Sequence, residues 1–384
     1  MVAKRLSGVP ASGTVALSNL VSHMKLQGID VVSFSMGEPD FVTPHNVIEA
    51  CKESLDAGFT HYTPSLGIPE LRKAVASKAF SDNKIHCTAK NVLITPSKHA
   101  IYMSAVAFLD PGDEVILPDP SWVSYEADIK LARAKPKYIP TKFDDNFIIN
   151  PDLIAEAITP KTKMILLNSP SNPTGSVMPC ETVRAIAQIA KENNLMVLSD
   201  EIYESIIYEG KHHSIAAVHD MFDRTITISG LSKTYAMTGW RLGWAIASEA
   251  NIKALDILQT HTISCCTSFA QKAAVAAITG PQDERDAMVS EFKKRRDLAV
   301  DLMREIKGIE VNVPKGAFYL FPKYNSKVKS EILCTKMLEE AHVAATPGSA
   351  FGPSGEGFFR VSYATGEEQI REGLSRIKKF MLNL

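Results

Sequence analysis

Lys233 and Arg241 stand eight residues apart in Gly230-Leu-Ser-Lys233-Thr-Tyr-Ala-Met-Thr-Gly-Trp-Arg241-Leu-Gly243. The stretch follows the β-rich run TITIS at 225–229, and loops at strand ends carry function. An amine condenses with an aldehyde only when it is unprotonated. A dry site beside a second cation lowers its pKa, so Arg241 near Lys233 suits that chemistry. As an isolated pair the two would be ordinary solvated charges, and their meaning depends on what else the chain brings to the same place.

Four other stretches carry complementary groups. Asp200 closes the run LMVLSD and precedes Glu201-Ile-Tyr203; its plain alternative is a helix N-cap, worth about 1 kcal/mol. Ser169-Pro-Ser-Asn172-Pro-Thr-Gly175 follows MILLN and reads equally well as a simple turn. Thr95-Pro-Ser97-Lys98-His99 follows NVLIT and opens the apolar helix AIYMSAVAFL, so its first N–H groups and the helix dipole form a site for a phosphate. Phe359-Arg360-Val-Ser-Tyr-Ala364 places an arginine inside an apolar strand-like run, where a charge without an anion is costly.

These groups need a scaffold that brings strand ends together. Between 91 and 248, NVLIT, EVILP, MILLN, LMVLSD and TITIS alternate with helical patterns, which predicts an α/β fold with a mostly parallel sheet. One crossover helix opens at Pro179, buries Val183, Ile186, Ala187 and Ala190 on one face, and stops at Asn193 and Asn194. From about 283 the texture changes to a long charged helix (283–305), strand-like runs such as GAFYLFP, and a final amphipathic helix carrying Ile370, Leu374, Ile377 and Met381. The expected organisation is a large domain over 45–282 and a smaller α+β domain made from 1–44 with 283–384, meeting at a cleft.

Composition narrows the partners. With 42 basic and 43 acidic residues spread along the chain, no summed field favours nucleic acid or an anionic membrane, and a small molecule is the default partner. There is no run of 18 apolar residues and no apolar leader after Met1. The six cysteines lack CxxC spacing, and vicinal Cys265 and Cys266 do not suit a strain-free disulfide. Reduced thiols in the cytoplasm are the expectation.

The complete motif ending in MTGWRLG resembles the class I aminotransferases of pyridoxal-phosphate fold type I, a likeness that runs from about Pro10 to Ala364. It implies a large domain with a mostly parallel central sheet flanked by helices, plus a smaller α+β domain. It further implies that Lys233 holds pyridoxal 5'-phosphate as a Schiff base and moves the proton of the 1,3-shift, and that Arg241 binds the phosphate together with the helix start at Ser97, Lys98 and His99. Asp200 would face the pyridine nitrogen and keep it protonated, so that the ring accepts electron density. Tyr203 and Asn172 would reach the ring oxygen, Asn172 also the substrate carboxylate, and Trp122 would stack on the ring, its alternative being a core tryptophan. Arg360 would clamp the substrate α-carboxylate through two parallel hydrogen bonds, with the backbone of Gly37 lining the same group. Tyr62 would reach the phosphate of a neighbouring subunit, which implies a homodimer with shared active sites. The reaction implied is a ping-pong transfer between an L-amino acid and a 2-oxo acid; no metal is implied.

Within that family the chain is similar to the prokaryotic aspartate aminotransferase subgroup. Lys98 and Thr14 match residues at the distal end of the substrate, and a cation there suits aspartate or glutamate; a solvated or phosphate-binding Lys98 is the plain alternative. One departure is Gly230, where many relatives carry a serine that donates to the phosphate. Aromatic or broad specificity, prephenate included, and a lyase or synthase of the same fold remain open. A cofactor-holding sensor domain would require a DNA-binding domain before Pro10. A nicotinamide site fails, because Gly355-Glu-Gly357 lacks the third glycine.

Overall fold

The predicted alternation of strands and helices closes into a seven-stranded sheet in the computed structural model, which describes Ala3, Leu6, Gly8, Val9 and residues 13–383, without the side chains of 14 and 15. The strands are β1 (Val92–Ile94), β2 (Glu114–Asp119), β3 (Lys135–Pro140), β4 (Thr162–Asn168), β5 (Met196–Asp200), β6 (Thr225–Gly230) and β7 (Gly243–Ile246). Across the sheet they run β1-β7-β6-β5-β4-β2-β3. Strands β3, β2, β4, β5 and β6 pair in parallel, while β7 is antiparallel to both β6 and β1. Six strands therefore point the same way, and their carboxyl ends share one edge.

Both faces of this sheet are covered, as continuous apolar strands require. Val115, Leu117, Leu166 and Leu198 pack to one side, and Ile116, Ile165, Leu167 and Val197 to the other, the period of two expected of a strand. The crossover helix forms over Cys180–Glu192 with Val183, Ile186, Ala187 and Ala190 buried. The long charged helix spans Asp283–Arg304 and the last helix Glu367–Met381. Two strands went unread in the sequence. The run KPKYIP of β3 is an edge strand, exposed at its two end residues and half-buried or buried between them, with two lysines and two prolines in it, and edges carry such residues. The GWAI of β7 begins at Gly243, the last residue of the Lys233 stretch, and continues beyond it.

Short pairings hold the remainder together. Val32–Ser33 runs parallel to Val343–Ala344, and Phe359–Ser362 lies between Tyr319–Leu320 and Thr346–Pro347 in an antiparallel set. One apolar cluster joins Val32 and Phe34 to Phe292, Phe318, Tyr319, Phe359 and Ile377, and also takes in Tyr203 from the large sheet's edge. No helix among the described residues is long and apolar enough to cross a membrane.

Candidate active site

Asp200, the last residue of β5, pairs in register with Asn168 at the end of β4. Asn168 Nδ2 donates to the Asp200 carbonyl at 2.9 Å and its Oδ1 accepts from the Asn172 N–H at 2.8 Å. The turn holding Asn172 is thereby fixed to the sheet edge. The Asp200 carboxylate is buried; it accepts from Tyr125 Oη at 2.7 Å and from the Ile202 N–H at 3.2 Å. Burial pushes its pKa up to about 6, against the opposing pull of those two hydrogen bonds.

Lys233 sits in the short helix Leu231–Thr234 that follows β6. Its Nζ donates to the Gly37 carbonyl at 2.5 Å. Burial lowers its pKa to about 8; Arg241 and Arg360 add to the fall, and Glu38 and Asp200 oppose it. Glu38 is held by Thr238 Oγ1 at 2.8 Å. Arg241 is exposed at the cavity mouth, with a left-handed backbone of φ 55° and a hydrogen bond from its guanidinium to the Thr238 carbonyl at 2.8 Å.

Opposite the lysine, the helix Ser97–Phe108 begins without a side-chain cap, so its first N–H groups remain available to an anion. Ser97 Oγ donates to the Ser229 carbonyl at 2.9 Å. Gly230 and Gly243 face each other across β6 and β7, and a Cβ on Gly230 would stand 2.6 Å from Ser97 Oγ and 2.8 Å from the Gly243 Cα. The departure at Gly230 thus has a steric cause: Ser97 fills the space that a serine there would need.

Arg360, in the strand Phe359–Ser362, is 2% exposed. It donates to Asn172 Oδ1 at 2.9 Å and the Ser35 carbonyl at 2.7 Å, and reaches Thr346 Oγ1 at 3.5 Å. Its Nε has no partner among the described residues. The guanidinium lies over the Tyr319 ring at 4.6 Å, and Tyr319 Oη meets Tyr203 Oη at 2.7 Å. Burial lowers the pKa of Arg360, and the groups that oppose this are the tyrosines Tyr319 and Tyr203, with no carboxylate among them.

Lys233, Asp200, Tyr203, Ser97, Lys98, Trp122, Asn172, Arg241, Gly37 and Arg360 all line one cavity of about 360 Å³, a size typical of small-molecule sites. Lys98 Nζ stands 5.1 Å over the Trp122 ring. His99 is not part of this lining: its Nε2 turns to Thr262 Oγ1 at 3.0 Å and its ring stacks on Tyr102. One residue further along the helix than Lys98, it points to a different face. Tyr62 is also absent from its own chain's cavity and is 91% exposed. Thr14 lies outside the described residues as far as its side chain is concerned. Sequence reasoning missed Tyr125, which holds Asp200, and Tyr319, which backs Arg360. Tyr125 follows Trp122 by one helical turn and was findable from that spacing; Tyr319 is hidden in the apolar run GAFYLFP.

An open α/β sheet whose carboxyl edge gathers a partly neutralised amine, a buried carboxylate and an unpaired guanidinium is the framework of an enzyme acting on an anionic small molecule. The chain belongs to the aminotransferase class I and II family, whose model matches residues 29–377. It is 42% identical to the aspartate aminotransferase of Pyrococcus abyssi over 386 residues, covering 98% of this chain and 97% of that one. It is 41% identical to aromatic-amino-acid aminotransferase 2 of Thermococcus litoralis over 365 residues, with 92% and 93% covered. Its fold matches the aspartate aminotransferase from Thermus thermophilus with maleate at a TM-score of 0.94, 36% identity and 99% coverage of both chains.

Proposed function

We propose that this aminotransferase moves the amino group of a dicarboxylic L-amino acid, aspartate or glutamate, to a 2-oxo acid in two half-reactions, with pyridoxal 5'-phosphate attached to Lys233. The observation that carries the proposal is Arg360, a buried guanidinium whose Nε is unpaired and which faces no carboxylate among the described residues. It shares a cavity with the depressed amine of Lys233. The donors present fit the cofactor: the uncapped helix start at Ser97 and Arg241 for its phosphate, Trp122 for its ring face, Asn172 and Tyr203 for its ring oxygen, and the buried Asp200 for its ring nitrogen. When bound, the group supplies an aldehyde for an amine and a ring that takes up electron density.

The chain's own residues do the rest. Arg360 and Asn172 bind the α-carboxylate of the donor; Gly37 presents its carbonyl next to Lys233 Nζ. Lys233 Nζ removes the proton from the donor Cα, a role that needs an amine neutral near physiological pH. Asp200, held by Tyr125, keeps a proton on the ring nitrogen. Lys98 attracts the distal carboxylate at the cavity rim. An aromatic donor is the second reading, favoured by the Thermococcus litoralis relative. We also propose a homodimer, supported by Tyr62 standing 91% exposed beside no group of its own site, a cytoplasmic location, which suits six free cysteines, and domain boundaries at 44/45 and 282/283.

The test is the absorption spectrum of the purified protein before and after L-aspartate, without acceptor, with released oxo acid quantified. Conversion of the aldehyde-form band to the amine-form band with about one oxaloacetate per site is expected. A band that responds only to another amino acid discards the dicarboxylic donor, and absence of any band after reconstitution discards the cofactor.

A further inference from the structure

Next to Asp200 lies a second group of buried charges that takes no part in the cavity. Glu201 is 1% exposed; its Oε1 accepts from Ser199 Oγ at 2.9 Å and Ser214 Oγ at 2.8 Å, and its Oε2 faces His212 Nε2 at 2.7 Å. Glu204 accepts from Ser229 Oγ at 2.5 Å and from Asn83 Nδ2, and pairs with Lys78 Nζ at 3.0 Å. Lys78 comes from the helix Pro69–Ser81, the glutamates from the segment after β5, and His212 from the loop leading to β6. Donor atoms of Glu201, Glu204 and His212 approach one another within 4.8 Å, but Lys78 and three serine hydroxyls already engage the carboxylates, so the cluster closes on itself.

Two buried carboxylates and one lysine leave a negative charge, which a proton on His212 cancels. Glu201, Glu204 and Lys78 are the charged groups facing that ring, with Asp82 behind Lys78 at 3.4 Å. Burial and Lys78 work against the proton; Glu201 and Glu204 outweigh them and raise the pKa of His212. Because Nδ1 has no partner among the described residues, Glu201 is the only acceptor that holds the ring. Glu201 is also the chain neighbour of Asp200, and its negative charge adds to the rise in Asp200's pKa.

We infer that His212 is a positioning residue which, by neutralising Glu201, keeps Asp200 ionised and so sets the acid limit at which the protein holds a protonated ring nitrogen. The inference rests on the reading of Asp200 given above. Two measurements test it. The first is the ring titration of His212 by NMR in the wild type and in Glu201→Gln, assigned with His212→Gln. The second is the dissociation constant of the holoenzyme for pyridoxal phosphate from acid to neutral pH in both single variants and in Glu201→Gln/His212→Gln, a neutral pair that avoids an unpaired buried charge.

Glu201→Gln should lower the His212 titration by about one pH unit and move the acid-side loss of cofactor to lower pH, whereas His212→Gln should move that loss upward by about half a unit. The double variant should follow Glu201→Gln. Shifts of the same sign in both single variants, as simple structural damage would give, or an unchanged His212 titration in Glu201→Gln, would overturn the inference. A wild type that binds no pyridoxal phosphate would overturn the role of Asp200, while the ring titration would still decide between Glu201 and no partner for His212.

Discussion

The cavity and the cluster beside it are built from the same kinds of group, buried to a similar degree, and they differ in one respect. In the cluster, every charge has an opposite charge or a hydroxyl at hydrogen-bond distance: Glu204 has Lys78 at 3.0 Å, and Glu201 has His212 at 2.7 Å. In the cavity, Lys233 rests on a carbonyl, Asp200 on a phenol and an amide, and Arg360 on a carboxamide and a carbonyl, with none forming an ion pair among the described residues. Desolvating such groups without counter-charges costs stability, and at the edge where strand ends converge three of them share one cavity. Unpaired buried charge therefore marks where a ligand completes the electrostatics, and paired buried charge marks where the protein has completed them itself.

The contrast predicts that the open region fails in chemistry and the closed region in stability. The largest effect is expected for Lys233→Ala, which should reduce turnover by at least about 10,000-fold, the upper range for one acid–base group, and abolish the aldehyde-form absorbance. Substantial multiple-turnover activity in that variant would remove Lys233 from its role. Only a neutral amine captures an aldehyde, so cofactor capture by the stripped wild-type protein should accelerate as pH rises through about 8, as followed by stopped-flow absorbance. A rate indifferent to pH in that window would mean that the depressed amine is not the acceptor.

In the closed region, Lys78→Met removes the ion-pair partner at 3.0 Å and leaves Glu204 with the Ser229 hydroxyl and the Asn83 amide as its hydrogen-bond partners among the described residues. Losing one partner of a buried pair costs about 3–5 kcal/mol, and the loss should appear in the urea midpoint. If stability held and only turnover fell, the division between the two regions would be wrong.

Part of the open region was legible locally, since an arginine inside FRVS is a charge that an apolar run does not tolerate without an anion. Lys233, Asp200 and Asn172, taken singly, read as a solvated lysine, a helix cap and a turn, and acquired their roles from the resemblance that the whole motif carries. The helices over 180–192, 283–304 and 367–381 were legible through periodicity. What stayed hidden depends on long-range approach. The Ser35 carbonyl that meets Arg360 lies 325 residues away, and the Gly37 carbonyl that meets Lys233 lies 196 away; no local pattern encodes either. Tyr125 and Tyr319 look like core aromatics and become site residues only through the Asp200 and Tyr203 contacts. The closed cluster was invisible for the same reason: Lys78, Glu204 and His212 read as ordinary surface residues one at a time.

A smaller effect is expected for Arg360→Lys, because charge is kept while the planar fork is lost. KM for every amino donor should rise by roughly 10- to 100-fold, the worth of one or two charge-assisted hydrogen bonds. A rise confined to dicarboxylic donors would instead place Arg360 at the distal carboxylate.

Lys98→Ala should give the smallest change, and the most specific. Lys98 is exposed and has an aromatic face beneath it at 5.1 Å and no ion pair among the described residues. An ammonium in contact with water gains little from a carboxylate, about 1 kcal/mol or less, so kcat/KM for aspartate should fall by at most about 10-fold. Phenylalanine has no distal charge to lose, and removing the ammonium uncovers the Trp122 ring, so kcat/KM for that donor should hold or rise. A loss shared equally by both donors would reduce Lys98 to support of the phosphate at the helix start, and dicarboxylate preference would then need another cation in the assembled protein. The ratio of the two donors, rather than either rate, is what distinguishes a rim charge that reads substrate from one that merely sits in solvent.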